Sequence, residues 1–322
     1  MRRVTIIGAG AYSIALSRIL NTNGVKVTIY TKFADEEELL NRKRGNDRLL
    51  PGVKLMRDTE ISNNLGESVK DCNIIILAVP SDATRLVLQD LKQFYNDQVL
   101  CITTKGIEQS TGYFMNQVIK EELTINNLCV ISGPSIASEI ADFLPTVVTA
   151  AGKKELTNLM NSYLANDKFE VEETTDMIGT LICGALKNVL AIGAGILSAR
   201  NAGENALATM ITNGLKEIGQ FCQTLGGQAE TVYLSCGLGD VIACCAGNLS
   251  RNNVFGVLIG EGHSVEEAIT IQNKTIEGYT ALAGARRIIR DNNLKAPIIE
   301  TICEIVLDGT NPDLLLTAIC KQ

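Results

Sequence analysis

Several residue types are scarce or absent in this 322-residue chain, and each scarcity excludes a class of function. The chain has no tryptophan and only 4% aromatic residues, so we expect no stacking surface for single-stranded nucleic acid. Its one histidine, His263, precedes a predicted helix as a surface residue would, which argues against a histidine-based catalytic dyad or triad. Proton transfer near neutral pH then falls to another group, and a lysine with a lowered pKa is the main alternative.

Positive charge is also in deficit. Acidic residues number 36 and basic residues 29, which gives a formal net charge of −7, and no long run of lysine or arginine occurs. We therefore expect no nucleic-acid partner and no polybasic attachment to a membrane surface. The ten cysteines form no Cys-x-x-Cys pair, which favours reduced thiols in a cytoplasmic protein and no structural metal site.

Two segments have the composition of membrane elements. Residues 1–20 combine a basic tip with an apolar stretch, as a secretory signal does, but their glycine spacing and Arg18 fit a strand, turn and helix better. Residues 180–199 are long enough to span a membrane, yet they carry a central Lys-Asn pair and three glycines. We predict a buried core helix there and no membrane insertion.

The first half of the chain alternates short apolar runs with helical patterns. This alternation predicts an α/β fold with a doubly wound, mostly parallel sheet of the Rossmann type. The predicted strands are residues 4–7, 25–30, 73–79, 99–103, 128–131, 146–151 and 169–171. The predicted helices between them are residues 14–20, 83–91, 112–123 and 153–164.

After residue 175 the strand pattern ends and eight helical patterns follow. They cover residues 176–199, 205–225, 229–234, 250–261, 265–273, 278–291, 296–307 and 312–319. We therefore predict a dinucleotide-binding domain over residues 1–175 and an all-helical substrate and catalytic domain over residues 176–322.

A glycine-rich turn follows the first predicted strand. Gly8 and Gly10 stand where a dinucleotide fold places its G-x-G-x-x-G turn, with Ala11 and Tyr12 next and Ser13 in place of the third glycine. The first glycine allows the tight turn, and the second lets the backbone approach a pyrophosphate at a helix N-terminus. An ordinary tight turn between a strand and a helix is the alternative.

The end of the second predicted strand bears on the choice of cofactor. NAD-selective folds place Asp or Glu there to hold the ribose hydroxyls, but this sequence reads Tyr30-Thr31-Lys32. Lys32 is placed to meet a 2′-phosphate, which favours NADP over NAD. A solvated surface lysine is the alternative interpretation.

Lys187 is the only charge in the apolar run 180–199. Burying an unpaired ammonium is costly, so this lysine must be paired, neutralised or used in catalysis. A structural ion pair or a side chain that snorkels to solvent is the alternative to catalysis.

Eight short segments, in order along the chain, resemble those of NAD(P)-dependent glycerol-3-phosphate dehydrogenases. They read LPGVKL (50–55), AVPS (78–81), TKGIE (104–108), SGPS (132–135), GALKN (184–188), GLGD (237–240), SRN (250–252) and Glu277-Gly278. Each segment alone is common, but their joint order and spacing are specific. The resemblance implies NAD(P)H-dependent reduction of dihydroxyacetone phosphate to sn-glycerol 3-phosphate, a reversible reaction that feeds glycerophospholipid synthesis.

The resemblance also implies roles for individual residues. Lys187 corresponds to the catalytic acid/base, with Asp240 beside it and Lys105 in contact with the substrate. Desolvation lowers the pKa of such a lysine and Asp240 raises it, so the balance could hold the pKa near the working pH. The implied substrate ligands are Lys105, Gly133, Ser135, Lys187, Asp240, Ser250, Arg251 and Asn252. The implied cofactor ligands are Gly8, Gly10, Ala11, Tyr12, Lys32, Lys105, Ala137, Arg251, Thr275 and Glu277.

Four positions depart from the family pattern. Ser13 replaces a glycine and Ala11 a common serine, Asn213 stands where arginine is typical, and Cys244 stands where threonine often follows the GLGD segment. We expect these changes to affect affinity or kinetics rather than the type of reaction. The alternatives are a ketopantoate reductase or β-hydroxyacid dehydrogenase with a lysine acid/base, or a nucleotide-binding redox sensor without turnover. A homodimer through the helical domain is the candidate assembly.

Overall fold

The computed structural model describes residues 2–247 and 250–321, so the first residue of one predicted domain and the last of the other lie outside the described residues. The chain divides into two compact units. The first comprises Met1–Val79, Ala83–Thr104 and Asn116–Met177, and the second comprises Pro80–Asp82, Lys105–Met115 and Ile178–Gln322. Two short segments from the first half of the chain therefore group with the second unit.

An eight-stranded sheet forms the centre of the first unit. Its strands are β1 (Arg3–Ile7), β2 (Lys26–Tyr30), β3 (Thr59–Ser62), β4 (Ile74–Leu77), β5 (Val99–Ile102), β6 (Leu128–Ser132), β7 (Thr146–Gly152) and β8 (Phe169–Thr174). Their order is β3-β2-β1-β4-β5-β6-β7-β8, and every neighbouring pair is parallel except β6 and β7. The predicted doubly wound, mostly parallel sheet is confirmed.

The register of the sheet aligns the apolar runs that predicted it. Ile6 of β1 lies opposite Ile29 of β2 on one side and Ile76 of β4 on the other, and all three are fully buried. Continuous burial of this kind is typical of parallel strands whose two faces are both covered. β3 escaped prediction because its four residues, TEIS, contain a single large apolar side chain.

Helices connect the strands of this sheet. They are α1 (Ala11–Thr22), α2 (Ala34–Lys43), α3 (Leu65–Val69), α4 (Ser81–Leu91), α5 (Met115–Glu122), α6 (Ala137–Ala141) and α7 (Lys154–Leu164). The helices α2, α3 and α6 were not predicted, and α2 explains why, since Leu40 is the only one of its ten residues that is buried. The prediction of a helix from residue 112 was wrong: Gly112 has a φ of 75°, which a right-handed helix does not contain, and α5 begins at Met115.

Helices make up the second unit, apart from its connecting loops and the segment Lys105–Met115, where Ile107 and Phe114 form an isolated β-bridge. Its helices are α8 (Met177–Ala199), α9 (Glu204–Thr224), α10 (Asp240–Cys245), α11 (Arg251–Glu261), α12 (Val265–Gln272), α13 (Glu277–Asn292), α14 (Pro297–Asp308) and α15 (Leu314–Ala318). A 3₁₀ turn at Ala229–Tyr233 and a π-helical turn at Ser235–Gly239 precede α10. The all-helical character is confirmed, whereas the π turn and α10 were not predicted.

Helix α8 is the core of the second unit. By length and composition alone it could cross a membrane, but its apolar window is wholly buried within the described fold. Two glycines bring α8 and α11 into backbone contact: a Cβ added at Gly195 would lie 2.0 Å from the carbonyl oxygen of Asn253, and one added at Gly256 would lie 2.0 Å from that of Ile192. An apolar helix surrounded in this way is a core helix, as predicted.

Candidate functional site

The glycine turn after β1 has the shape of a phosphate cradle. Gly8 has a φ of 108°, and a Cβ there would lie 2.6 Å from the carbonyl oxygen of Ala78, so only glycine fits. Gly10 precedes α1 in an extended conformation, and no described side chain caps that helix. A Cβ added at Gly10 would meet no described atom within 4 Å, which leaves open space above the N-terminus of α1. Ala11 and Tyr12 form its first turn, and the start of a helix after such a turn suits the pyrophosphate of a dinucleotide.

Ser13, at the position of the third glycine, is a buried residue of α1. Its hydroxyl has no hydrogen-bond partner among residues 2–247 and 250–321. A small side chain at this position satisfies the need for close packing between helix and strand, although the hydroxyl gains no bond from it.

The structure changes the interpretation of the end of β2. Lys32 is exposed and pairs with Asp90 at 3.2 Å, so its ammonium already has a partner. The hydroxyl of Thr31 donates to Glu36 Oε2, which brings a carboxylate from the first turn of α2 to the strand end. The sequence showed no acid at this point because Glu36 lies five residues further on, a separation that the fold closes.

Three residues follow β6 at the carboxyl edge of the sheet. Gly133 has a φ of 142°, and a Cβ there would lie 3.0 Å from the Cα of Val148. Ser135 donates its hydroxyl to the carbonyl oxygen of Gly133 at 2.9 Å, and Ala137 begins α6. These residues form a tight turn in the first unit, where β6 runs parallel to β5.

A carboxylate joins the two predicted catalytic lysines within the second unit. Asp240 Oδ1 accepts from Lys187 Nζ at 3.0 Å, and Asp240 Oδ2 accepts from Lys105 Nζ at 2.7 Å. The side chains of Asp240, Lys187 and Lys105 are 3%, 9% and 19% exposed. Lys187 also donates to Cys244 Sγ at 2.8 Å. We call Lys105, Lys187, Asp240 and Cys244 the lysine–aspartate cluster.

Local structure explains why Asp240 lies at this point. The π-helical turn Ser235–Gly239 leads directly into α10, and Asp240 is the first residue of α10. A Cβ at Gly237 would lie 2.2 Å from the carbonyl oxygen of Val232, so the turn requires glycine there. Insertions of this kind into helical structure are frequent at functional sites.

The pKa values of the cluster diverge. Burial alone would lower the pKa of Lys187, but Asp240 and Cys244 outweigh it, so this pKa is raised above its ordinary value. Burial dominates at Lys105 and, with the like charge of Lys187, lowers its pKa although Asp240 opposes the change. Burial would raise the pKa of Asp240, but the two ammonium groups hold it below its ordinary value. The expectation that the pKa of Lys187 lies near the working pH was therefore wrong, and this lysine is a stable ammonium at neutral pH.

The Ser250–Asn252 segment opens α11. The Ser250 hydroxyl accepts from the backbone N–H of Asn253 and caps the helix, and Arg251 is exposed in the first turn. Asn252 is buried: its Nδ2 donates to Asn188 Oδ1 at 2.8 Å, and its Oδ1 accepts from the N–H of Gly278 at 2.9 Å. An exposed arginine at a helix N-terminus is suited to an anion.

Asn188 connects this segment to the lysine–aspartate cluster, and the sequence reasoning missed it. Its Nδ2 donates to the carbonyl oxygen of Lys105 at 3.2 Å and to that of Gly184 at 3.4 Å, while its Oδ1 accepts from Asn252. Its position in the sequence could have indicated a role, because Asn188 follows Lys187 directly and is a second polar residue inside an apolar helix.

Glu277 binds a segment that groups with the second unit. Its Oε1 accepts from the Ser81 N–H at 3.2 Å and its Oε2 from the Ser81 hydroxyl at 2.6 Å. A Cβ at Gly106 would lie 2.6 Å from Glu277 Oε2, so glycine beside Lys105 makes room for this carboxylate. Burial raises the pKa of Glu277 despite the bonds from Ser81. Thr275, two residues earlier, is exposed.

None of the ten cysteines forms a disulfide, and the Cys244 thiol accepts from Lys187. Within the described part of the chain, no group of three or more His, Cys, Asp or Glu side chains is arranged to hold a metal.

Two family models match most of the chain. The model of the NAD-dependent glycerol-3-phosphate dehydrogenase N-terminus matches residues 3–158, and that of the C-terminus matches residues 176–317. The glycerol-3-phosphate dehydrogenase (NAD(P)+) of Fusobacterium nucleatum subsp. nucleatum is 39% identical over 315 residues, which cover 97% of this chain and 94% of that protein.

Solved structures agree with these matches. The crystal structure of glycerol-3-phosphate dehydrogenase from Coxiella burnetii is similar with a TM-score of 0.94 and 30% identity, covering 100% of this chain and 99% of that one. A ketopantoate reductase from Ralstonia eutropha shares the fold with a TM-score of 0.62 but only 13% identity, covering 99% and 100% of the two chains.

Proposed function

Because the chain belongs to the NAD-dependent glycerol-3-phosphate dehydrogenase family, we propose that it catalyses the reversible NAD(P)H-dependent reduction of dihydroxyacetone phosphate to sn-glycerol 3-phosphate. The product supplies the glycerol phosphate backbone of phospholipids. The observation that carries the proposal for this chain is the bridge that Asp240 forms between Lys105 and Lys187.

Lys187 is the proton donor in this proposal. Reduction of a ketone leaves negative charge on the carbonyl oxygen, which needs a donor within hydrogen-bond reach. Lys187 is an ammonium at neutral pH, and Asp240 orients it from one side. Lys105 binds the other oxygen of Asp240 and places a second cation beside the reacting oxygen. In the reverse direction the neutral amine form of the same lysine accepts the proton.

Arg251 and Ser250 recognise the substrate phosphate, and Gly133 and Ser135 are further proposed substrate ligands. The guanidinium forms two parallel bonds to phosphate oxygens, and the N-terminal amides of α11 add partial positive charge. Asn252 has one Nδ2 hydrogen beyond its bond to Asn188, which suits a third phosphate contact. A chain with a net charge of −7 therefore needs only a local group of cations to bind an anionic substrate.

The glycine turn after β1 is the proposed site for the cofactor pyrophosphate. When bound, a nicotinamide dinucleotide supplies hydride chemistry, which no side chain can provide. Gly8, Gly10, Ala11 and Tyr12 offer the backbone cradle for the pyrophosphate. Lys32, Lys105, Ala137, Arg251, Thr275 and Glu277 are the further proposed ligands.

The organisation of the protein is also proposed. Residues 1–175 form the dinucleotide-binding domain and residues 176–322 the substrate and catalytic domain. The protein is cytoplasmic, does not insert into membranes, and forms a homodimer through the helical domain.

Initial-rate assays with the purified chain test the activity. We expect oxidation of NADH or NADPH with dihydroxyacetone phosphate, and little with dihydroxyacetone or with a phosphate-free keto acid such as ketopantoate. Arg251→Lys should raise KM for the phosphorylated substrate, since a lysine cannot form two parallel bonds. Turnover of the keto acid in preference to the phosphate ester, or no turnover at any pH, would refute the proposal.

A further inference from the structure

The carboxyl end of β2 lies directly beside the glycine turn. The backbone N–H of Gly8 donates to the carbonyl oxygen of Tyr30 at 2.9 Å, and Tyr30 is the last residue of β2. The next residue, Thr31, is buried and donates its hydroxyl to Glu36 Oε2. Glu36 is therefore held at the strand end by a neighbour of the phosphate cradle.

Glu36 keeps one carboxylate oxygen available. Within residues 2–247 and 250–321 its hydrogen bond from Thr31 uses Oε2 alone, so Oε1 can accept from a ligand. The side chain is half-buried and lines a cavity of about 440 Å³.

Lys32 is poorly placed to offset the repulsion between Glu36 and a 2′-phosphate. Its side chain is 65% exposed, and its ammonium lies 3.2 Å from Asp90. A 2′-phosphate at this strand end would have to draw Lys32 away from Asp90 while lying near the carboxylate of Glu36. Exposed ion pairs are weak, so Lys32 can be recruited, but its attraction would be opposed by Glu36.

We propose that Glu36 selects NAD over NADP: Thr31 holds its carboxylate at the end of β2, where it accepts hydrogen bonds from the ribose hydroxyls of NAD and repels the 2′-phosphate of NADP. The inference rests on the proposed function, which requires one of these two dinucleotides. It reverses the preference for NADP that Lys32 indicated in the sequence.

The chemistry behind the selection is that of a carboxylate beside a diol. A carboxylate accepts from two hydroxyls at once, and such charge-assisted bonds are stronger than neutral ones. A phosphate carries no donor at neutral pH that would replace the 2′-hydroxyl, so both the bond and the attraction are lost. An acid at the end of the second strand performs this task in dinucleotide-binding folds generally, and here it is contributed by the following helix.

Cofactor binding to the full chain, measured by calorimetric titration without substrate, tests the proposal. We expect the wild type to bind NADH about tenfold more tightly than NADPH, which is the factor expected for losing one hydrogen bond to a charged group. Glu36→Gln keeps an oxygen for the Thr31 hydroxyl but removes the charge, so the ratio of the two Kd values should fall by about tenfold. Asp35→Asn is the matched control: it removes the same charge from the same helical turn, at an exposed position, and should leave the ratio unchanged.

The outcomes separate this proposal from the proposed function. Equal binding of both cofactors, or tighter binding of NADPH that Lys32→Ala abolishes, would overturn the role of Glu36 and leave the dehydrogenase function standing. Binding of neither cofactor by a chain that unfolds cooperatively would overturn both. A fall in the ratio in Glu36→Gln with none in Asp35→Asn supports the proposal.

Discussion

Replacing Asp240 by asparagine should remove the charge that keeps both lysines of the lysine–aspartate cluster protonated. Asp240 accepts from Lys187 at 3.0 Å and from Lys105 at 2.7 Å, and its side chain is only 3% exposed. Breaking a buried ion pair by removing one partner costs about 3–5 kcal/mol of the free energy of unfolding. Loss of a neighbouring opposite charge should also lower the pKa of Lys187 by about 2 pKa units.

The sign of the pH effect follows from these directions. In the wild type the pKa of Lys187 is raised, so its contribution to stability is complete below the ordinary lysine pKa of about 10.4 and is lost as the pH rises through the folded value. In Asp240→Asn the pKa of Lys187 returns towards its ordinary value, whereas the pKa of Lys105, which burial already lowers, falls further below that of the unfolded chain. The folded variant then binds fewer protons than the unfolded one, so its stability rises with pH.

Two assays on Asp240→Asn check this reasoning. For reduction of dihydroxyacetone phosphate, kcat/KM should fall at a pH about 2 units lower in the variant than in the wild type, because the proton donor must be protonated. Urea unfolding should show a smaller deficit at pH 9 than at pH 7. Asp308→Asn is the control, since Asp308 pairs with Arg286 at an exposed position. An unshifted alkaline limb in Asp240→Asn would refute the coupling of Lys187 to Asp240.

Three further substitutions address the proton donor, a buried acid and the core. Lys187→Met should lower turnover by about 10²–10⁴-fold while cofactor binding persists, because Asp240 keeps Lys105 as its partner. Burial raises the pKa of Glu217 to about 7, against the effect of two backbone N–H groups that it caps at the start of α14. The stability of the wild type relative to Glu217→Gln should therefore fall by about 3 kcal/mol between pH 4 and pH 8 in urea titrations. Gly256→Ala should destabilise the chain by about 3 kcal/mol, since its Cβ would lie 2.0 Å from a carbonyl oxygen of α8.

Each of these outcomes has a clear opposite. Near-normal turnover in Lys187→Met would remove that residue from the role of proton donor. A stability difference between the wild type and Glu217→Gln that does not change with pH would contradict the raised pKa. Gly219→Ala is the matched control for the core, because a Cβ there has its nearest atom at 3.6 Å, and equal stability of the two alanine variants would contradict the backbone contact of α8 and α11.

The grouping of Lys105 with the second unit has a consequence for catalysis. Lys105 lies in the segment Lys105–Met115, which belongs to the same compact unit as Lys187 and Asp240. Asp240 binds its ammonium, Asn188 binds its carbonyl oxygen, and Glu277 occupies the space beside Gly106. The lysine–aspartate cluster is therefore assembled within one unit.

Local patterns in the sequence were sufficient for most of the fold. Apolar runs bounded by turns indicated seven of the eight strands, and the nearly uncharged run 180–199 indicated α8. Elements that are buried on all sides consist almost entirely of apolar residues, so their composition identifies them. The elements that were missed are short or mainly solvent-facing, such as β3 and α2, and their composition resembles that of loops.

Much of the candidate site could also be named from the sequence, but its electrostatics could not. Lys187 stands out within a single apolar segment, and the glycines stand out within a single turn. Burial explains the apolar surroundings of Lys187, and backbone conformation explains the glycines, so both could be recognised without knowing the tertiary structure. The contact between Lys187 and Asp240, the opposite pKa directions of the two lysines, and the placement of Glu36 at the end of β2 depend on residues brought together from different segments. Desolvation and charge pairing depend on which groups are close together in space. These properties are therefore decided by the tertiary structure and not by the local sequence.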